Sequence, residues 1–179
     1  MKTATIIRAI AITLLVFVVA FFGVRIGLAF GAGSDAWLND TALLGTIADI
    51  DARREQVLTQ LSVHTGLVMI VGSIGSLIWT AWLVAKAGII ARPDRSGDGR
   101  STWTLLAVGV MVIAACLFVR FGWFTVAGNY LSDTARIVIG FVLTAVPPFL
   151  YWLIACVTTP NVCKVSVPLS GWTIRSGGQ

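Results

Sequence analysis

Charge is what this chain has least of. Asp, Glu, Lys and Arg together make up 12% of its 179 residues, against 57% hydrophobic residues. A water-soluble domain of this length cannot cover a core with so little polar surface. Histidine occurs once, at His64, which excludes a bis-histidine haem site, and nothing near it completes a metal set. The three cysteines, Cys116, Cys156 and Cys163, form no CxxC pair and match neither a thiol oxidoreductase nor a zinc site. Cys116 and Cys156 fall in apolar runs and read as small core- or lipid-facing residues; Cys163 falls in the tail. Phosphate loops, nucleophile–base constellations and paired intramembrane carboxylates are also missing. These gaps predict a protein with no catalytic site, no metal and no cofactor.

Apolar sequence is abundant: mean hydropathy is +0.90. Four runs are long enough to cross about 30 Å of hydrocarbon as helices: Ile6 to Phe30, Val63 to Ala85, Trp103 to Gly122 and Ile137 to Val157. The predicted fold class is an all-α integral membrane protein with four transmembrane helices. Seven tryptophans fit anchoring at headgroup depth.

One stretch occurs twice. Val24-Arg25-Ile26-Gly27, Ala32-Gly33 and Trp37-Leu38-Asn39-Asp40-Thr41-Ala42 match Val119-Arg120-Phe121-Gly122, Ala127-Gly128 and Tyr130-Leu131-Ser132-Asp133-Thr134-Ala135. A fainter echo pairs Trp82-Leu83-Val84-Ala85 with Trp152-Leu153-Ile154-Ala155. Repetition of this kind predicts two copies of one membrane hairpin. The basic, apolar N-terminus resembles a secretory signal. Its match to a stretch in mid-chain favours reading it as a first span instead.

The predicted organisation is a first hairpin over 1–85, a basic loop over 86–102, a second hairpin over 103–157 and a tail over 158–179. Within the first hairpin, residues 41–61 carry apolar side chains at helical spacing. They predict an amphipathic helix on the non-cytoplasmic side, lying on the membrane surface or on a partner. Lys2, Arg8, Lys86, Arg92, Arg95, Arg100, Lys164 and Arg175 fall on one side of the spans, and the acidic first connection on the other. The positive-inside rule then puts both termini in the cytoplasm and makes the hairpins parallel repeats in a plasma membrane of the bacterial inner type. The net charge of +5 is accounted for by this topology and calls for no nucleic acid.

Arg25 and Arg120 each end an apolar run. An arginine there snorkels, pairs or faces a polar cavity. Asp40 and Asp133, in the same repeat units, are the candidate partners for a clasp at each hairpin mouth, with an anion or lipid-headgroup site made by the two arginines as the alternative. Gly23, Gly27 and Gly31 form a small-residue ladder, and Gly72 with Ser76 a shorter one; both read as helix-packing faces. Pro147 and Pro148 remove two amide donors from the fourth span and predict a kink. The expected partners are membrane lipids and either other membrane subunits or further copies of the chain. The leading functional expectation is a non-enzymatic structural or assembly subunit of a multi-subunit membrane complex, in secretion or conjugation machinery or an energy-transducing complex. The second is a small homo-oligomeric transporter or channel with its pathway between the hairpins.

Overall fold

The computed structural model describes residues 2–32, 47–89, 99–123 and 131–159. They form four helices: α1 (Lys2–Ala32), α2 (Ile47–Ile89), α3 (Gly99–Trp123) and α4 (Asp133–Thr158). Each contains a stretch long and apolar enough to cross a membrane. Asp40, Cys163, residues 41–46 of the proposed surface helix and the tail beyond Thr159 lie outside the described residues.

Neighbouring helices in sequence run antiparallel. On α2, Gly66 faces Phe21 of α1 and Gly72 faces Phe17, so one chain direction rises as the other falls. Gly109 of α3 faces Tyr151 of α4 while Gly140 faces Arg120, which reverses the order again. α2 is the central element: it packs against all three others. Its stripe Val57, Leu61, Val68, Gly72, Ser76 and Trp79 is buried throughout.

Two ends of the bundle differ. At one, the arginine end, Leu28, Val57, Leu61, Val119, Leu131 and Ala135 share a core cluster. At the other, Trp79 packs with Leu105, Val108, Tyr151, Ala155 and Cys156. Tyr151 donates its hydroxyl proton to the Leu105 carbonyl at 2.9 Å, tying α4 to α3. Cys116 and Cys156 are both core residues, with no exposed surface.

The amphipathic stretch does not form a separate helix on the membrane surface. From Ile47 onward it is the start of α2, which continues unbroken for 43 residues, about 65 Å at ~1.5 Å per residue. Nothing between Ile47 and Ser62 stops a helix: there is no proline or glycine, and Ala, Arg, Gln and Leu favour it. Its apolar residues stay in register with the membrane stripe. Val57 and Leu61 therefore bury against this chain's own core, at 0% and 3% exposure, instead of against lipid.

α4 starts where Ser132 caps it. The Ser132 hydroxyl accepts from the Ala135 amide at 3.4 Å, and Asp133 places negative charge in the first turn, where the helix dipole favours it. The helix then continues through Pro147 and Pro148. Both prolines lack the amide that would serve the carbonyls of Leu143 and Thr144. Pro147 is buried and borders Gly72 of α2.

Candidate functional site

The two matched arginines lie at the same end of the bundle, each against the second helix of its own hairpin, but in unlike settings. Arg120 sits in the last turn of α3, where a cation suits the dipole. Its guanidinium lies on Gly140 of α4, so that a methyl group built there would overlap it. The guanidinium also stands 5.2 Å from the centroid of the Phe121 ring. Asp133 does not close a clasp with it. The Asp133 carboxylate is almost fully exposed and reaches Arg136, three residues on, at 3.6 Å. A surface pair within one helical turn was available to it and an inward one was not, because α4 turns that position outward.

This geometry gives a prediction. Gly140→Ala will destabilise the protein by about 1–2 kcal/mol, as overpacking does, and the loss will vanish in an Arg120→Ala background. Denaturation in mixed micelles measures both; equal losses in the two backgrounds would remove the guanidinium as the cause.

Arg25 is exposed and lines a cleft of about 190 Å³ between α1 and α2. Leu28 and Ala29 share the α1 wall, and Glu55, Leu61, Ser62 and Thr65 are among the residues of the α2 wall. Arg25 and Glu55 stand at the mouth, while Leu28, Leu61 and Thr65 are buried at the floor. Sequence reasoning singled out Arg25 but missed Glu55 and Thr65. The available signal was a carboxylate and a hydroxyl ten residues apart on one helix, which carries no meaning until α1 is placed beside them.

His64, one residue from Thr65, is 4% exposed and so faces the bundle interior, not the interface. Its Nδ1–H donates to the Gln60 carbonyl at 2.6 Å, since a carbonyl can only accept. Arg54, nearly three turns earlier on α2, reaches Asp51 at 3.8 Å. No group of three or more His, Cys, Asp or Glu side chains gathers as a metal site among the described residues.

The packing glycines divide into two kinds. Gly72 is a close-approach site: a Cβ there would lie 2.6 Å from the Phe17 ring and 3.1 Å from Pro147. Gly75, absent from the sequence-based selection, is another, with Val112 at 2.5 Å from a built Cβ. Ser76 is buried beside them and donates to the Gly72 carbonyl at 3.1 Å. Gly23 and Gly27 of α1 are different, since among the described residues a Cβ at either would meet no neighbour within 4 Å.

The chain matches no protein family, no curated protein and no solved structure. The functional reading therefore rests on side-chain geometry.

Proposed function

We propose that this chain is a non-enzymatic structural or assembly subunit of a multi-subunit membrane complex. The observation that carries this reading is the open glycine face of α1. Gly23 and Gly27 lie one helical turn apart, and among the described residues no atom from beyond their own stretch of helix comes within 4 Å of a built Cβ. Phe22, Ile26 and Phe30 stand exposed around them. In a bilayer, apolar surface alone is satisfied by lipid, whereas small residues one turn apart permit close approach of a second helix backbone.

The charge pattern supports a bacterial-type inner membrane, both termini cytoplasmic, and two hairpins related as parallel repeats. The second reading, a transporter or channel, draws support from Thr144. Its hydroxyl is buried without a hydrogen bond, next to the carbonyls that the two prolines leave unserved. Tight packing weighs against a pathway between the hairpins, because Gly72 against Pro147 and Gly75 against Val112 fill that interface.

The test exploits the empty space around α1. Gly23→Leu and Gly27→Leu add side chains at positions where a Cβ meets no described neighbour, so the fold will survive with its thermal midpoint unchanged. Gentle purification of the native protein will bring down unlike subunits in fixed stoichiometry, and the double leucine variant will lose them. A wild type that purifies alone, as a monodisperse homo-oligomer carrying solute flux in liposomes, would establish the transporter reading instead.

A further inference from the structure

We propose that the cleft between α1 and α2 at the arginine end binds the headgroup of a zwitterionic aminophospholipid, phosphate against Arg25 and ammonium against Glu55. This goes beyond the assembly role and does not depend on it.

Three observations converge on the cleft. First, it holds one full charge of each sign that do not neutralise one another. Arg25 and Glu55 line the same space of about 190 Å³, yet neither takes part in an ion pair among the described residues, where Arg54–Asp51 and Arg136–Asp133 do. A separated cation and anion across a small cleft suit a ligand that carries both charges. An anionic headgroup would leave Glu55 opposed, and a cationic one would oppose Arg25.

Second, Thr65 is fully buried, lines the cleft, and its hydroxyl has no hydrogen-bond partner. The other buried hydroxyls of α1 and α2 are satisfied locally. Thr13, Ser76 and Thr80 each donate to the carbonyl four residues back, at 2.8, 3.1 and 2.9 Å. Thr65 forgoes that common arrangement. A buried hydroxyl left unbonded is unfavourable, and a phosphate or ester oxygen in the cleft is an acceptor for it. Thr59 and Ser62, on the same wall, add further hydroxyls.

Third, the depth fits. The α1 residues of the cleft belong to the last turns of the apolar stretch Ile7–Gly31, and Glu55 to the first turn of Arg54–Ala85. Both stretches end there, where a spanning helix leaves hydrocarbon for the headgroups, and Leu61, six residues further into α2 than Glu55, leads from the polar mouth toward hydrocarbon. Arginine is suited to the phosphate because its planar fork of donors matches two phosphate oxygens.

Native mass spectrometry of the full chain, with phosphatidylethanolamine and phosphatidylglycerol added in equal amounts, tests the proposal. Phosphatidylethanolamine will be retained at least fivefold over phosphatidylglycerol. Glu55→Gln will remove that preference while total lipid retained stays within twofold, and Arg25→Gln will lose both lipids. Thr65→Val, which keeps shape and removes the unbonded hydroxyl, will leave the delipidated protein at least as thermally stable as the wild type. It will also shrink the melting shift that phosphatidylethanolamine produces. Equal retention of the two lipids, or a preference that persists in Glu55→Gln, would overturn the proposal. So would an equal melting shift from soluble phosphoethanolamine, which would assign the cleft to a free zwitterion, or an undiminished lipid shift in Thr65→Val.

Discussion

Trp79→Ala will destabilise the bundle by about 3–5 kcal/mol, the range for deleting a large buried aromatic. Trp79 is 1% exposed and sits where α2, α3 and α4 meet, against Leu105, Val108, Tyr151 and Ala155. Its indole N–H donates to the Thr159 hydroxyl at 3.2 Å, just beyond the end of α4. Thr159 is itself buried, and its amide closes that helix on the Ala155 carbonyl at 3.1 Å. Removing the indole therefore opens a void and strips a buried hydroxyl of its partner together. Trp79→Phe keeps most of the ring volume and will lose about 1 kcal/mol, mainly the hydrogen bond. Denaturation in mixed micelles measures both, and an alanine variant within about 0.5 kcal/mol of wild type would show that this end contributes little.

Gly72→Leu will be nearly as damaging, at about 3 kcal/mol, the upper end for overpacking. Its first added carbon already lies 2.6 Å from the Phe17 ring and 3.1 Å from Pro147, so α1 and α4 must both retreat. Phe17 is 4% exposed and has no free direction in which to swing. Replacing that ring as well makes room for the leucine. Gly72→Leu/Phe17→Ala will therefore be less destabilised than the two single losses added together, by about 1–2 kcal/mol in a double-mutant cycle. Strict additivity would mean that the clash is relieved elsewhere.

The four spans were legible because hydrocarbon imposes one requirement on every spanning helix, a run of about 20 apolar residues. Each predicted span lies inside an observed helix, and the helices extend a few residues further at most ends. The exception is α2, which begins at Ile47 and not near Val63. The amphipathic pattern of its first turns predicts a helix but does not say which neighbour covers it. An apolar stripe reports that something covers it, and lipid surface and protein core leave the same mark.

The candidate site was legible only in part. Arg25 and Arg120 stand out because a guanidinium at the end of an apolar run needs an explanation in any fold. What each one meets is not a local property. Arg120 rests on Gly140, twenty residues away on α4, and Glu55 faces the Arg25 cleft from another helix. The glycines make the same point. Gly23 and Gly27 have the spacing of a packing face, while Gly72 has Phe17 and Pro147 against it and they have open space.

Composition and periodicity by themselves determined that the chain is helical, apolar enough for a bilayer and built of four spans, because burial of backbone polar groups in hydrocarbon permits few other solutions. Tertiary packing alone decided which small residues are contacts, that Val57 and Leu61 join the core, and that Arg25, Glu55 and Thr65 share one cleft. Those outcomes depend on how helices are rotated and staggered against one another, which is set by the fit of side chains from separate helices and not by any one helix alone.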